Sequence, residues 1–269
     1  IEKDLRSAKA SLKEILQDGS FGEAGAKVVI EEFLDGVELS VFILTDGVDY
    51  LLLPTAKDYK RIGEGDKGLN TGGMGALSPA PVADTSFMAK VKEKVIIKTL
   101  NGLQAERIEY SGFLFIGLMR VGDEPYVIEY NVRMGDPETE VVLPRIESDL
   151  LGHFKALGDG TLASESIQVS EKVGCTIMMV SGGYPEKYEK GKLISGFDQI
   201  DSSSLVFHAG TRKEGDEIVT NGGRVLTVTS LDNSLEGALS NSYRNIDKLS
   251  FEKSYFRSDI GYELKAEVK

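Results

Sequence analysis

The 269-residue sequence contains one cysteine, two histidines and no tryptophan. A single cysteine cannot form an intramolecular disulfide bond, so a disulfide-stabilised scaffold is excluded. That cysteine, Cys175, lies in the apolar run of residues 173–180, where a buried and unreactive thiol is expected rather than a nucleophile. His208 has no cysteine or second histidine near it in the sequence, so we interpret it as a structural residue rather than a metal ligand.

Basic residues are outnumbered by acidic residues, and the sequence has no long apolar segment. Lysine and arginine number 31 against 43 aspartate and glutamate residues, which gives a formal net charge of −12 at pH 7. A nucleic-acid-binding protein usually has a basic excess. No apolar run has the length of a transmembrane helix, and the N-terminal residues lack the basic-then-apolar pattern of a signal peptide. The sequence therefore favours a cytoplasmic protein that acts on small molecules, with neither a nucleic acid nor a membrane as partner.

The chain is long enough for two domains. Its hydrophobic content of 41% and its charged content of 28% are ordinary for a globular protein. The composition changes near residues 158–160, where Gly-Asp-Gly precedes a region of short strands and turns. We therefore predict an α+β protein, with helices and an antiparallel sheet over residues 1–165 and a smaller, mostly β domain over residues 166–269.

Hydrophobic periodicity and turn residues locate the predicted elements. Helices are predicted over residues 4–17, 85–104, 140–156 and 234–246, with a break or kink in the third at Pro144. Strands are predicted over residues 28–34, 38–44, 50–54, 112–119 and 126–131, and shorter strands over residues 174–180, 205–209, 217–220 and 224–229. Residues 122–125 are predicted to join the strands on either side of them in a hairpin.

The strand that ends at Asn131 has a polar pattern that indicates a phosphate and metal site. Residues two apart project from the same face of a strand, so Glu129 and Asn131 point together, and an extended backbone adds Arg133. The opposite face then carries Tyr126, Ile128 and Tyr130. Mg²⁺ prefers oxygen ligands, and arginine grips phosphate with two parallel hydrogen bonds. A solvated polar face is the alternative interpretation, but the abrupt turn at residues 135–138 is typical of an active-site loop.

The longest predicted irregular segment covers residues 56–81 and is rich in glycine. Residues 63–68 match the pattern G-x-G-x-x-G by chance, because a dinucleotide-binding motif must join a strand to a helix and more loop follows here. Residues 70–75 are more informative, since consecutive glycines can direct several backbone N–H groups at one anion. We predict a functional loop that closes over a site as a lid, in preference to a mobile surface linker.

Short motifs along the whole chain resemble the phosphoribosylamine–glycine ligase family, ATP-grasp enzymes of purine biosynthesis also called glycinamide ribonucleotide synthetases. The motifs cover residues 29–36, 58–61, 70–76, 128–131, 133–138, 207–211, 221–224 and 259–261. Their number, order and spacing make the resemblance specific. Where the family commonly has Phe-Asn-Cys-Arg-Phe, residues 130–134 read Tyr-Asn-Val-Arg-Met, which keeps the polar residues.

The resemblance covers about the C-terminal two-thirds of the family's enzyme. The family has an N-terminal domain and a small subdomain with a glycine-rich loop and a phosphate-contacting lysine, and both would precede Ile1. The resemblance therefore implies a partial ATP-grasp domain followed by the smaller C-terminal domain. It also implies that the missing N-terminal domains are partners of this chain and that the chain is inactive in isolation.

The resemblance implies roles for particular residues in binding ATP. The adenine would be held largely by the backbone of a hinge made of Glu31, Glu32, Phe33 and Leu34. Both ribose hydroxyls would bind Glu38. Glu129 and Asn131 would hold Mg²⁺, or Mn²⁺, against the ATP phosphates, and Arg133 would steady the transferred phosphoryl group.

A second group of residues would gather glycine and phosphoribosylamine. It consists of Lys60, Arg61, Asn70, Thr71, Gly72, Gly73, Asp136, Pro137 and Glu138. Among these, Lys60, Arg61 and Asp136 are predicted to be catalytic, as is Arg133. The resemblance does not divide the two substrates among these residues.

The implied reaction ligates glycine to phosphoribosylamine and converts ATP to ADP and phosphate. The glycine carboxylate attacks the γ-phosphate to give glycyl phosphate, and the amine then displaces phosphate to form the amide. Phosphoryl transfer of this kind depends mostly on positioning and charge neutralisation, which agrees with the lack of a recognisable Ser-His-Asp or Cys-His nucleophile. Two alternatives stay open here: another ATP-grasp ligase for a different carboxylate and amine, and a non-catalytic nucleotide-binding fragment.

Overall fold

A computed structural model describes residue 2, residues 4–19 and residues 21–264, and the chain divides into two compact units, residues 1–36 and 37–269. In the first unit, helix α1 (Leu5–Leu16) begins after Asp4. The Asp4 carboxylate accepts hydrogen bonds from the backbone N–H groups of Arg6 (2.8 Å) and Ser7 (2.9 Å). This cap satisfies two of the donors that a helix leaves free, and the first predicted helix is confirmed.

The rest of the first unit corrects one prediction. A 3₁₀ turn, Gly22–Ala26, is followed by residues 27–35 without regular structure, so the strand predicted over residues 28–34 is wrong. The prediction rested on β-branched composition, but a strand needs a partner for its backbone hydrogen bonds. None of the described strands pairs with this segment, and Val29 and Ile30 are 83% and 79% exposed.

The second unit contains helices and antiparallel strands. Its strands are β1 (Val37–Thr45), β2 (Tyr50–Leu52), β3 (Lys57–Asp58), β4 (Arg61–Gly63), β5 (Lys67–Asn70), β6 (Gly75–Ser78), β7 (Gly112–Val121), β8 (Glu124–Asn131), β9 (Val173–Val180), β10 (Ser204–His208), β11 (Thr211–Glu214), β12 (Glu217–Thr220) and β13 (Arg224–Asp232). Its helices are α2 (Thr85–Val91), α3 (Ile97–Ala105), α4 (Thr139–Val142), α5 (Leu150–Asp159) and α6 (Leu235–Ile246), with a π-helical turn at Lys92–Ile96 and 3₁₀ turns at Leu143–Arg145, Leu162–Ser164 and Phe197–Gln199. Within the described ranges, no helix is long and apolar enough to cross a membrane.

The first sheet has the strand order β2-β1-β7-β8. One of its faces packs against the helix that α2, the π-helical turn and α3 form together. The buried side chains of this layer include Leu39, Val41, Ile43, Phe87, Val91, Leu114, Ile116 and Leu118. Burying one such side chain stabilises a fold by about 2 kcal/mol, so this layer fixes the sheet. The opposite face is partly apolar, because Phe42, Leu44 and Phe115 are buried there in further clusters, and its polar residues lie beyond them.

The second sheet has the order β10-β13-β9-β6-β3, and α6 packs on it. Strands β3 and β6 precede residue 165, whereas β9, β10 and β13 follow it. The sheet therefore joins segments from both sides of the predicted domain boundary. The predicted helix over residues 140–156 is divided into α4, a 3₁₀ turn that contains Pro144, and α5, which confirms the break.

Residues 56–81 are more regular than predicted, because they contain the four short strands β3 to β6. Strands of two to four residues have too few positions to show an alternating pattern, so the sequence did not reveal them. Strands β4 and β5 form a hairpin, and the G-x-G-x-x-G match falls within it, in agreement with its rejection as a dinucleotide motif.

The β4–β5 hairpin is anchored by Arg257, whose side chain is fully buried. Its guanidinium forms ion pairs with Asp66 (2.6 Å) and Asp259 (2.8 Å) and donates to the backbone carbonyl of Arg61 (3.1 Å). Breaking a buried ion pair leaves a charge without compensation. The lid movement predicted for this segment would therefore have to break these contacts or leave the hairpin in place.

Candidate active site

The predicted metal strand, β8, is the edge strand of the first sheet. The amide nitrogen of Asn131 donates to the Glu129 carboxylate (3.0 Å), and the Arg133 guanidinium donates to the amide oxygen of Asn131 (3.3 Å). The three side chains therefore lie together, as their spacing predicts. Glu129 and Arg133 are exposed and Asn131 is half-buried, so a ligand can reach the group from solvent.

A β-bulge changes the predicted faces of β8. Gly117 of β7 is paired with Glu129, but Leu118 is already paired with Val127, so Ile128 is the extra residue. Cross-strand partners share a face, and the bulge places Tyr126, the partner of Met119, on the same face as Glu129. The prediction that Tyr126 points away from Glu129 is therefore wrong. Alternation along one strand cannot predict a bulge, which is a feature of the pairing.

The polar face of β8 continues onto β1 through β7. Ser40 is paired with Gly117, and Gly117 is paired with Glu129, so Ser40 and Glu129 share a face, as does Glu38, two residues before Ser40. A Cβ at position 117 would lie 3.1 Å from the Glu129 Cγ. The glycine therefore leaves room for the Glu129 side chain to lie over β7, between β1 and β8.

Lys60 connects this face to the segment that follows β3. Its ammonium forms ion pairs with the carboxylates of Glu38 and Asp58 (3.3 Å to the latter). Burial alone would lower the pKa of Lys60, but the charges of Asp58 and Glu38 outweigh burial and hold it above its usual value. Two predicted site residues, Glu38 and Lys60, are thus direct partners, and the lysine is held in its charged form.

Glu138 is a buried carboxyl group beside the same cluster. It is 3% exposed, and its carboxylate accepts a hydrogen bond from the Ser40 hydroxyl (3.0 Å). Burial raises the pKa of Glu138, and the nearby charge of Asp58 raises it further. Burial likewise raises the pKa of Asp58, although Lys60 opposes the shift. The site therefore contains two carboxyl groups that hold protons more tightly than usual beside one stable cation.

The glycine loop does not form the predicted anion nest. The backbone N–H groups of residues 71–74 donate in turn to the Lys60 carbonyl (2.8 Å), the Tyr184 hydroxyl (3.0 Å), the Thr71 hydroxyl (3.0 Å) and the Tyr59 carbonyl (2.7 Å). Each of these N–H groups already has an acceptor within the protein, so the predicted nest does not form in this conformation. The glycines instead allow close packing, since Gly73 has a φ of +123° and a Cβ there would overlap Pro137.

Arg224 joins the glycine loop to the turn after β8, and sequence reasoning missed it as a site residue. Its guanidinium donates to the carbonyls of Gly72 (2.9 Å) and Asp136 (2.7 Å) and lies 3.1 Å from the Asp136 carboxylate. Arg224 was recognised only within the motif of residues 221–224. The contact with Gly72 spans 152 residues in the sequence, so no local pattern indicates it.

Glu140 is a second residue that sequence reasoning missed. Its Oε2 atom is buried and has no hydrogen-bond partner among the described residues. Burial raises the pKa of Glu140 to about 7, Asp136 contributes to the rise, and Arg224 opposes it. Glu140 thus interacts electrostatically with both Asp136 and Arg224.

The remaining predicted residues lie in two places. Arg61 and Asn70 are paired at the open end of the β4–β5 hairpin, where the Arg61 guanidinium donates to the Gly68 carbonyl (2.8 Å). The four hinge residues belong to the first unit. Glu31, Glu32 and Phe33 are exposed there, and Leu34 is half-buried. The structure thus joins Lys60 to Glu38 and Gly73 to Pro137, whereas the Arg61 side chain contacts its own hairpin. It does not test the hinge assignment.

The structure also contains a Ser-His-Glu relay, which the sequence analysis did not expect. Ser148 Oγ lies 2.8 Å from His153 Nε2, and His153 Nδ1 lies 2.8 Å from the Glu165 carboxylate. The serine hydroxyl also accepts the backbone N–H of Gln168 (3.1 Å), and His153 is 3% exposed. These contacts fasten the start of α5 to residues 165–168, so we assign the relay a structural role.

The residues of β8 fit a hard divalent cation. Glu129 and Asn131 offer a carboxylate and an amide group side by side, and oxygen donors from one or two protein residues are typical of Mg²⁺ bound with phosphates. In this structure the amide nitrogen faces Glu129 and the amide oxygen accepts from Arg133, so the amide would have to turn to present its oxygen to a cation beside the carboxylate. In the described part of the chain, no group of three or more histidine, cysteine, aspartate or glutamate side chains could hold a metal alone. A cation here would therefore need phosphate or water ligands as well.

Known proteins match the chain along most of its length. The profile of the phosphoribosylglycinamide synthetase ATP-grasp (A) domain matches residues 1–139, and that of the synthetase C domain matches residues 174–263. The chain belongs to the phosphoribosylglycinamide synthetase family. The predicted family and fold are thereby confirmed. The profiles leave residues 140–173 unassigned, so the boundary at residue 165 stays a prediction.

Individual members of the synthetase family agree with this assignment. The phosphoribosylamine–glycine ligase of Chlorobaculum tepidum is 48% identical over 256 residues, covering 94% of this chain and 60% of that protein. A bifunctional purine biosynthetic protein of Pichia angusta is 43% identical over 264 residues, covering 97% of this chain and 34% of that protein. A crystal structure of phosphoribosylamine–glycine ligase from Thermotoga maritima has a TM-score of 0.80 at 35% identity and covers 93% of this chain and 63% of that one. The chain thus spans about three fifths of the two ligases.

Proposed function

We propose that this chain supplies most of the active site of an enzyme that ligates glycine to 5-phosphoribosylamine, giving glycinamide ribonucleotide, ADP and phosphate, in cytoplasmic de novo purine biosynthesis. The observation that supports this most directly is the single sheet face that carries Glu38, Glu129 and Asn131. That face offers an acidic group suited to ribose hydroxyls and oxygen ligands suited to a metal–phosphate complex. Family membership supports the same reaction.

Nucleotide binding is assigned to two segments. The hinge residues Glu31, Glu32, Phe33 and Leu34 would hold adenine, and the exposure of Glu31, Glu32 and Phe33 in the first unit leaves them accessible to a nucleotide. Glu38 would accept hydrogen bonds from both ribose hydroxyls. It is half-buried and paired with Lys60, so its carboxylate is held in place before the nucleotide arrives.

The phosphoryl group is assigned to Glu129 and Asn131 of β8 and to Arg133, which follows that strand. Glu129 and Asn131 would hold Mg²⁺ or Mn²⁺, and the bound cation would neutralise charge on the ATP phosphates. Arg133 lies beside Asn131 and has a planar guanidinium that can bind two phosphate oxygens at once. In the first step a carboxylate oxygen of glycine attacks the γ-phosphorus, the bond to the β-phosphate oxygen breaks, and ADP leaves.

The second step forms the amide. The amine nitrogen of phosphoribosylamine attacks the carbonyl carbon of glycyl phosphate, the C–O bond to phosphate breaks, and the nitrogen loses a proton. Lys60, Arg61 and residues 70–73, with residues 136–138, would bind the two substrates. Lys60 remains charged because of Asp58 and Glu38, so it can bind a carboxylate or a phosphate at neutral pH. The long segment around β4 and β5 would limit access of water to glycyl phosphate.

Coverage of about three fifths of the relatives suggests that the chain acts with further domains. We propose that residues 1–269 fold but do not turn over alone, because one wall of the phosphate site would be absent and charge stabilisation needs an enclosed site. Fusion to the part of the Chlorobaculum tepidum ligase that this chain does not match should supply that wall.

The test measures ADP release by the chain alone and by the fused protein, with each substrate omitted in turn. The proposal predicts release only from the fused protein, and only when glycine and phosphoribosylamine are both present. Replacement of glycine by bicarbonate or another amino acid should abolish release. Release that depends on a different acid or amine would favour another ATP-grasp ligase, and ATP binding without release in any mixture would favour a non-catalytic nucleotide-binding module.

A further inference from the structure

Arg224 is the first residue of β13, in the region matched by the C-domain profile, yet it contacts two segments of the candidate active site. One of its terminal nitrogens, Nη1, lies within hydrogen-bond distance of the Gly72 carbonyl (2.9 Å), the Asp136 carbonyl (2.7 Å) and the Asp136 carboxylate (3.1 Å). Both Gly72 and Asp136 are predicted substrate-binding residues. The guanidinium therefore fixes the distance between two segments that must meet the substrates together.

The surroundings of Gly72 are shaped to receive this guanidinium. A Cβ at position 72 would lie 2.8 Å from the Arg224 Cζ atom, so any side chain there would displace the arginine. On the other side, the Gly72 N–H donates to the Tyr184 hydroxyl (3.0 Å). The N–H and the carbonyl of Gly72 are thus both hydrogen-bonded to residues that follow β9 in the sequence, and the loop is held from two directions.

The positive charge of Arg224 also stabilises two neighbouring carboxyl groups. Asp136 and Glu140 are both carboxyl groups near it, and the Glu140 Oε2 atom is buried without a hydrogen-bond partner among the described residues. Arg224 is the cation that opposes the repulsion between them. Its side chain is 21% exposed, and the Asp136 side chain is 50% exposed, so the carboxylate of Asp136 remains open to solvent while the guanidinium holds it in position.

We propose that Arg224 is a positioning residue of the substrate site, through which the C-terminal part of the chain sets the geometry of the glycine loop and of residues 136–138. The inference rests on the proposed function for its kinetic consequence. Loss of Arg224 allows the two segments to separate, and a displacement of about 1 Å at a reacting group can lower a rate about 100-fold. The residues proposed to bind ATP do not include Arg224, so we expect ATP binding to be independent of it.

The test compares Arg224→Ala, Arg224→Lys and the control Arg212→Ala in the fused protein. Arg212 is also an arginine of the C-terminal region, but it is exposed and pairs with Glu214. Arg224→Lys keeps the charge, but a single ammonium does not reproduce the planar guanidinium. We expect both Arg224 variants to lose about 100-fold in kcat/KM for glycine or phosphoribosylamine, with the Kd for ATP unchanged within about twofold. The control should behave like the wild type.

Two further measurements separate positioning from general stability. Hydrogen exchange of the amides of residues 72–74 should accelerate in the Arg224 variants, and methylguanidinium added to Arg224→Ala should recover activity. Wild-type kcat/KM in both variants, or equal losses for ATP and the other substrates without local exchange changes, would overturn the inference. If the unmutated fused protein makes no product, the proposed function fails, and unchanged exchange at residues 72–74 would then separately overturn the positioning role.

Discussion

Lys60 and Glu38 form an ion pair that links the two halves of the candidate site. Glu38 lies on β1 and is the predicted ribose ligand, while Lys60 lies between β3 and β4 and is predicted to bind the other substrates. Because the lysine also pairs with Asp58, its position depends on both carboxylates. A nucleotide whose ribose hydroxyls donate hydrogen bonds to Glu38 would therefore alter the charge around Lys60, so the two binding events are physically connected.

Replacement of Glu38 by glutamine should weaken recognition of the ribose. A hydrogen bond to a charged group contributes about 1.5–3 kcal/mol, so the KM for ATP should rise by about one to two powers of ten. The KM for 2′,3′-dideoxy-ATP should change much less, because that nucleotide has no hydroxyls to lose. Steady-state kinetics with both nucleotides in the fused protein provide the comparison, and an equal rise for both would show that Glu38 does not contact the hydroxyls.

Replacement of Glu129 by alanine should abolish most of the turnover. The cation would lose its only charged ligand on the β8 face, and a loss of about 3 kcal/mol of charge stabilisation corresponds to roughly 100-fold or more in rate. Glu124→Gln is the matched control, since Glu124 lies on the same strand but pairs with Lys90 and Lys94 at the surface. Normal activity of Glu129→Ala at ordinary Mg²⁺ would contradict the metal assignment.

Glu140 should make the fold less stable as the pH rises. Burial raises its pKa from 4.5 to about 7, so between these values the folded state binds more protons than the unfolded state, and the free energy of unfolding falls with increasing pH. Glu140→Gln removes this loss. Relative to the wild type, the variant should gain stability between about pH 4.5 and 7, by at most about 3 kcal/mol.

Urea unfolding of residues 1–269 at pH 5 and pH 8 measures this difference. Glu147→Gln serves as the control, because Glu147 is exposed and lies in the same part of the chain. A difference between Glu140→Gln and the wild type that is the same at both pH values would contradict the assigned shift.

Arg257 should be important for both stability and the β4–β5 hairpin. Arg257→Ala leaves Asp66 and Asp259 without their buried partner, and breaking a buried pair costs about 3–5 kcal/mol. The variant should unfold at lower urea and be cleaved faster by proteases at residues 64–66. Arg244→Ala is the control, since Arg244 is 50% exposed and its ion pair with Asp201 is longer, at 3.6 Å. Unchanged cleavage in Arg257→Ala would show that other contacts hold the hairpin.

Local patterns predicted the parts of the fold that depend on local physics. Helix α1 follows from periodicity and strand β7 from a near-continuous apolar run, and Glu129, Asn131 and Arg133 are brought together by the two-residue repeat of a strand. The strand predicted over residues 28–34 is wrong because it depends on a contact that is not local. Its composition favours a strand, but strand formation depends on a partner that sequence alone does not identify.

Contacts between distant segments account for what the sequence did not predict. The bulge at Ile128 is set by the pairing of β7 with β8, and the Ser40–Glu138 hydrogen bond joins residues 98 positions apart. The bonds of the glycine loop were misassigned because its N–H groups find partners in Tyr59, Lys60 and Tyr184. The roles assigned to Arg224 and Glu140 likewise depend on contacts with residues that only the fold brings near them.

The measurement that tests the central claim most directly follows the oxygen atoms of glycine. The fused protein is supplied with ATP, phosphoribosylamine and glycine that carries ¹⁸O in its carboxylate, and the released phosphate is analysed by mass spectrometry. If the carboxylate attacks the γ-phosphate and the amine then displaces phosphate, one labelled oxygen must leave with each phosphate. We expect one ¹⁸O per phosphate formed. Unlabelled phosphate accompanied by product, or phosphate release without any amide product, would contradict the proposed ligase reaction.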